Sequence, residues 1–261
     1  MNKKQDIKRI SFSELKHWKE CPYRHKLIYK DNLSSFSGNE YTAFGQAIHY
    51  VCENIVPSSS DKNCLDLFHK YFDSKLKELN IDSTSDLVSE MRQQAVPICI
   101  NILPQLKNEF GIFEVISVEE QLLEDITEFE SFDTKFKGFI DLVIKTSDQK
   151  YHIIDWKTCS WGWNSAKKTD PITTYQLTFY KNYFAKKHNI PMASIETYFA
   201  LLKRTAKKEN VEFFRVTSGP KKIENSLKVL QNAVINIEKE VHIKNRLNCK
   251  YCEFYKSEHC V

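Results

Sequence analysis

Glycine is scarce in this chain, six residues in 261, and neither a GxGxxG nor a P-loop signature occurs. Both motifs bring glycine backbone against a phosphate, so nucleotide-driven chemistry is not expected, and neither is a barrel rich in tight turns. Long apolar runs are also missing. None approaches the roughly 18 residues of a membrane helix, and Met1-Asn2-Lys3-Lys4-Gln5-Asp6 leads into no stretch of signal-peptide length. The expectation is a soluble, intracellular protein without membrane contact. No charge of one sign dominates: 38 Lys+Arg face 34 Asp+Glu, a net charge of +4. Internal repeats, low-complexity tracts and linkers are absent, which favours a single domain.

Hydrophobic residues at 41% and charged residues at 28% are ordinary globular values in a chain long enough to bury a sizeable core. Eight cysteines in a reducing compartment are not expected to form four disulfides, which raises the question of metal ligands. Charge is uneven along the chain. Residues 201–230 hold eight basic side chains against three acidic ones, either a solvated face or a surface for a polyanion.

Ser11-Phe12-Ser13-Glu14 has the form of a capping box, predicting a helix from about Phe12 that stops at Cys21-Pro22. Tyr23–Tyr29 reads as a second helical stretch and Ser34–Asn39 as a loop. Apolar residues at Tyr41, Phe44, Ile48, Val51 and Ile55 predict a helix over about 40–56 ended by Pro57 and three serines. Gly45, His49 and Glu53 lie on an adjacent stripe of it. Further amphipathic helices are predicted at 63–79 and 85–108, with Pro97 and Pro104 as kinks or breaks. After Gly111 short apolar alternations predict strands at 113–121, 136–145, 151–158, 197–204 and 211–217, with helices at about 172–188 and 221–243. The fold class is therefore α/β: a helical part over about 11–110, a sheet with helices over 111–245, and a cysteine-rich end at 249–260.

Lys137–Ile144 and Tyr151–Thr158 read as the two arms of one hairpin. Alternation along a strand places Asp155 and Lys157 on one face, and a turn centred on Asp148 sets Asp141 opposite Asp155. Two carboxylates about 5 Å apart repel, so such a pair is usually bridged by a divalent cation or a basic side chain. Oxygen ligands suit magnesium or manganese. A lysine beside such a metal makes sense if it positions or polarises a water that attacks a phosphate.

Asp141 followed by Asp155-x-Lys157 resembles the core signature of the PD-(D/E)XK nuclease superfamily. Gly45-Gln46-Ala47-Ile48-His49 is similar to the G-x-x-x-H helix motif of its RecB-type exonuclease branch, and Gln176-Leu177-Thr178-Phe179-Tyr180 to its Q-x-x-x-Y motif. The matches keep the family's order over nearly the whole chain. The resemblance implies a restriction-endonuclease-like core, a central mixed sheet flanked by helices. It implies that His49, Asp141, Asp155 and the carbonyl of Trp156 hold Mg2+ or Mn2+. Lys157 would orient the nucleophilic water or stabilise charge on the phosphate, and Gln176 and Tyr180 would hold a phosphate or Lys157 in place. Glu119 stands where relatives often carry an acidic residue. Taken singly each residue has a plainer reading: a helix histidine, a polar helix face, a surface ion pair worth about 0–1 kcal/mol.

In Cys249-x-x-Cys252 two thiolates can chelate one centre; Cys260 adds a third, and Cys21 is the candidate fourth. Iron–sulfur members of the RecB-like branch resemble this, with one cysteine before the nuclease core and three after it around a [4Fe–4S] cluster. The C-x-x-C-x7-C spacing is longer than their commonest pattern. His259 could compete as a ligand, which would suit Zn2+, and unliganded thiols are the third reading. Cys52, Cys64, Cys99 and Cys159 have no ligand-like spacing and read as small buried hydrophobes.

The resemblance implies a metal-dependent DNA nuclease, an exonuclease on single-stranded ends, acting in recombination, repair or phage replication in a bacterial, archaeal or phage-infected cytoplasm. Helicase motor motifs are absent, so unwinding would come from a helicase, recombinase or integrase partner. Trp161, Trp163, Lys203 and Arg204 are the candidates to face DNA, the tryptophans by stacking on unpaired bases, although core packing is the commoner fate of aromatics. Two alternatives stand: a CRISPR-adaptation-type nuclease that trims DNA for an integrase, and a DNA-binding subunit that keeps the fold without cutting.

Overall fold

The computed structural model describes residues 8–33, 37–127 and 133–260. In chain order its elements are β1 (Lys8–Ser11), α1 (Phe12–Glu20), α2 (Pro22–His25), α3 (Glu40–Ser58), α4 (Cys64–Glu78), α5 (Asp86–Phe110), β2 (Phe113–Asp125), β3 (Thr134–Thr146), β4 (Tyr151–Cys159), α6 (Ser165–Thr169), α7 (Pro171–His188), β5 (Ile195–Lys203), β6 (Val211–Arg215) and α8 (Pro220–Glu238). Residues 34–36 of the expected loop lie outside the described residues. Among the described residues no helix is long and apolar enough to cross a membrane.

The strands form one mixed sheet in the order β1-β3-β4-β5-β6, with β2 also paired to β3. This is the α/β core with a central mixed sheet and flanking helices that the motifs imply. The β3–β4 pairing is antiparallel from Leu142↔Ile154 to Lys145↔Tyr151, the register set by a turn centred on Asp148. Gln149 adopts φ 66° there and the Thr146 N–H donates to the Lys150 carbonyl at 3.0 Å. β4 and β5 run parallel from Tyr151↔Ile195 to Cys159↔Lys203. Parallel neighbours need a crossover, and α7 lies within it.

The chain divides into two compact units, Met1–Phe36 with Gln121–Gly138 and Ser218–Val261, and Ser37–Glu120 with Phe139–Thr217. In the larger, Phe44, Ile48 and Val51 of α3, Phe68 and Phe72 of α4, Ile98 and Cys99 of α5 and Trp156 of β4 share one buried core. Phe44 meets Phe68 and Phe72 edge-on, ring centroids 5.4 and 6.1 Å apart. The Asn39 side chain accepts the Thr42 N–H at 3.0 Å and starts α3. Ser59, at φ 50°, ends it. Pro97 and Pro104 do not break α5, which is continuous over 25 residues. Its buried face, from Val88 through Ala95 and Ile102 to Leu106, spans both prolines, so packing on either side outweighs the lost ladder bonds.

In the smaller unit β1 pairs in parallel with the first residues of β3, Lys8↔Thr134 to Ser11↔Lys137. Ser11 caps α1 by accepting the Glu14 N–H at 3.2 Å. Only that half of the capping box forms by side chain: the Glu14 carboxylate turns to the buried His25, 2.9 Å from Nε2, because an enclosed imidazole needs a polar partner more than an exposed helix start does. α8 stops at Glu238, short of the expected 243, where Glu240 adopts φ 56° and the Val241 N–H returns to the Asn236 carbonyl.

Candidate active site

The β3–β4 register brings Asp141 beside the end of β4, where the Trp156 N–H donates to its Oδ2 at 2.7 Å. Asp155, 1% exposed, has Oδ1 accepting from Gln176 Nε2 at 2.8 Å and Oδ2 2.6 Å from the Lys157 ammonium. Gln176 also donates to the Tyr180 hydroxyl at 3.1 Å. Four residues apart on α7, the two side chains meet on one helix face as their spacing requires.

α3 brings His49 to the same place. A Cβ on Gly45 would lie 3.1 Å from Thr158 Oγ1, so the absent side chain lets the helix approach β4, and one turn later His49 Nδ1 comes to 3.7 Å from Asp141 Oδ2. Its ring also meets the main chain of Trp156. Glu119 completes the arrangement from β2: one ligand atom each of His49, Glu119 and Asp141 lie within 4.8 Å of one another. Glu119 has φ 50° within an extended strand, a left-handed conformation that a non-glycine residue adopts at a cost of about 1 kcal/mol or more. Its neighbour Glu120 is anchored instead by Lys187 and His188 of α7, at 2.8 and 2.5 Å.

Burial and the nearby Asp155 carboxylate hold Asp141 well above the ordinary carboxylate range, despite Lys157 and the Trp156 N–H. Burial, with help from Glu53 and Asp155, also raises Glu119. Burial by itself would depress Lys157, but Asp155 and Asp141 outweigh it and its pKa rises, so it remains an ammonium. Burial lowers His49, which stays a neutral imidazole, the form that binds metals. The centre thus crowds three carboxyl groups, Glu119, Asp141 and Asp155, around one lysine, and offers a nitrogen–oxygen–oxygen donor set. Both fit a divalent cation of the magnesium or manganese class. Asp155 stands apart from the three mutually adjacent donors because its two oxygens serve Gln176 and Lys157.

A sequence profile for the PD-(D/E)XK nuclease superfamily matches residues 9–257. The chain belongs to that superfamily. Nucleases of this superfamily use divalent metals, in keeping with the donor set. Among solved structures, this PD-(D/E)XK chain is similar to a Eubacterium rectale protein named as a candidate exonuclease, at TM-score 0.59 and 10% identity over 97% of this chain and 91% of that one. A second similar structure is the protein SSO0001, at TM-score 0.44 and 13% identity over 97% and 86%. No curated protein matches.

The four residues expected to face DNA have different fates. Trp161 is 78% exposed. Trp163 packs on Phe199 and Phe214, centroids 5.1 and 5.8 Å away, with the Lys167 ammonium 4.4 Å from its ring centroid. Lys203 is buried with its ammonium 3.1 Å from Glu212, the carboxylate that offsets the cost of enclosing a cation. Arg204 stacks on Tyr41 at 4.8 Å and donates to Gln94 and Ser160 at 2.8 and 3.3 Å. Lys203 and Arg204 are thus engaged within the fold, while Trp163, half-buried, lines a cleft beside Trp161. The basic stretch 201–230 is likewise partly consumed internally: Lys221 and Lys228 hold Glu224, whose carboxyl they pull down to about 2.

In the smaller unit Cys21, Cys249, Cys252 and Cys260, all free thiols, line one cavity of about 680 Å³. The Asn245 N–H points at Cys21 Sγ from 3.3 Å. His259 does not line this cavity; its ring pairs with Glu258 at 3.5 Å and its carbonyl accepts the Tyr23 hydroxyl. Cys52, Cys64 and Cys99 are buried among apolar side chains, and Cys159 is half-buried.

Proposed function

We propose that this protein is a Mg2+- or Mn2+-dependent deoxyribonuclease that hydrolyses phosphodiester bonds at single-stranded DNA ends. The observation that carries the reading is the convergence of His49, Glu119 and Asp141 on one point beside the Asp155–Lys157 pair. The superfamily and the structural neighbour named as a candidate exonuclease support it.

His49, Glu119 and Asp141 would hold the cation, with the Trp156 carbonyl and Asp155 at its margin. When bound, a divalent ion supplies Lewis acidity toward a phosphoryl oxygen and lowers the pKa of its water. Lys157, kept protonated by its two carboxylates, is a fixed positive charge. It therefore orients the attacking water and stabilises charge growing on the phosphate, and does not serve as a base. Gln176 keeps Asp155 in place and is itself braced by Tyr180, whose phenol burial holds protonated. The intact Asp141, Asp155 and Lys157 favour cutting over a purely DNA-binding role.

The cavity lined by four thiols supports a second, structural group, a [4Fe–4S] cluster on Cys21, Cys249, Cys252 and Cys260. An N–H aimed at a cysteine sulfur suits a thiolate ligand. Four sulfurs without His259 favour iron–sulfur over a zinc site that takes the histidine. A helicase, recombinase or integrase would supply unwound ends in recombination, repair, phage replication or CRISPR adaptation.

The test is cleavage of single-stranded DNA labelled at its 5′ or 3′ end, with magnesium or manganese, beside Asp155→Ala. Metal-dependent release of label by the wild type alone is the expected result. Absence of cleavage of any DNA or RNA by folded, metal-loaded protein overturns the proposal.

A further inference from the structure

β4 ends at Cys159, and alternation puts Asp155, Lys157 and Cys159 on one face of the strand. Immediately beyond, Cys159 to Asn164 turn around a cleft of about 510 Å³ closed by Lys167 and Glu212. It lies next to the candidate active site in the fold. The Lys157 ammonium lies 5.8 Å over the Phe199 ring, and Phe199 is 5.1 Å from Trp163, so a single buried ring separates the lysine from the floor. Trp161 on the rim is of another kind, with 78% of its surface exposed. Gly162 at φ 118° makes the reversal between them, sending one tryptophan inward and leaving the other out. Ser160, just before Trp161, is tied to Arg204, which stacks on Tyr41, so the rim is anchored to the body of the unit.

We propose that Trp161 and this cleft form a stacking subsite for one unpaired nucleobase of the strand whose phosphate lies at Lys157. The inference rests on the nuclease reading above and deepens it by giving a physical source for a single-strand requirement. An exposed indole held by a rigid turn offers a flat face at little entropic cost. Lys167 on the lining of the cleft suits a polyanionic backbone, whereas Lys168 is paired with Glu212. Ser160 and Asn164 at the rim offer polar groups to a base edge. Three residues separate Lys157 from Trp161, a backbone span of at most about 14 Å, so the stacked base belongs within a few nucleotides of the bond that is cut. A base inside a duplex has both faces covered by its neighbours and cannot take this place.

The test combines Trp161→Ala and Trp161→Phe with a set of end-labelled single strands, each carrying one abasic nucleotide at a different distance from the cleaved bond. Binding is read with the wild type and variants in EDTA, and kcat/KM with metal. For the wild type, affinity and kcat/KM should fall about tenfold when the abasic position reaches one particular distance, and only there. Trp161→Ala should show the same tenfold loss on intact strands and no further loss at that abasic position, while Trp161→Phe restores most of the affinity. Melting curves that superimpose on the wild type separate this from misfolding. A wild-type profile that is flat across abasic positions, or one that Trp161→Ala leaves unchanged, overturns the subsite while the nuclease stands. A wild type that cuts no DNA at all overturns both.

Discussion

The two cysteine- and carboxylate-bearing centres are built in opposite ways. In the larger unit, Asp141, Asp155 and Lys157 lie on the two arms of one hairpin, and a five-residue turn, Thr146–Lys150, sets their register. In the smaller unit, the thiol cavity joins Cys21 to a segment 224 residues further along, where Asn245 meets its sulfur. A local hairpin closes at little entropic cost, whereas bringing distant segments together costs more and gains more from a cross-linking group. The carboxylate centre should therefore be separable from stability, and the thiol cavity, bridged by the proposed cluster, should not.

The largest effect expected is catalytic. Asp155→Ala or Lys157→Ala should lower kcat by at least about a thousandfold while leaving the melting temperature within a few degrees of the wild type. A melting curve that collapses together with activity would break the comparison. Next comes Cys252→Ser, which should bleach an absorbance band near about 400 nm and lower the melting temperature by about 10 °C. An unchanged melting temperature would show that the thiols are no clamp.

A smaller, sharper effect is expected of Gly45→Ala. Its methyl group would meet Thr158 Oγ1 at 3.1 Å and move α3 by a few tenths of an ångström, offsetting the gain in helix propensity. Stability should barely change, but the displaced His49 should raise the metal concentration for half-maximal activity about tenfold. Glu119→Gly is the subtlest. It should weaken metal binding measured by calorimetry and, by relieving the φ 50° backbone, leave stability equal or about 0.5–1 kcal/mol higher. A loss of stability would mean that the strand conformation is not strained.

Much of this is readable from the chain because it is local. The hairpin register follows from alternation and a turn, and the α3 stripe of Gly45 and His49 from helical spacing. The misses have non-local causes. β1 is four residues long and exists only as a partner of β3, so no periodicity announces it. The prolines of α5 do not end the helix, because a core face lies on either side of them. Lys203 and Arg204 look like free cations until Glu212, Gln94 and Tyr41 arrive from other segments.

By itself the sequence determined which chemistry the chain carries: hard oxygen and imidazole donors, one lysine among carboxylates, and thiols near its two ends, since residue type and short-range periodicity need no fold to be read. Only the tertiary structure decided that Glu119 joins His49 and Asp141 while Asp155 turns to Gln176 and Lys157, and that Trp161 stands largely exposed while Trp163 packs on Phe199 and Phe214. The reason is that a side chain's partner depends on which distant segment satisfies its charge or covers its surface, and that competition is settled only when the strands and helices pack.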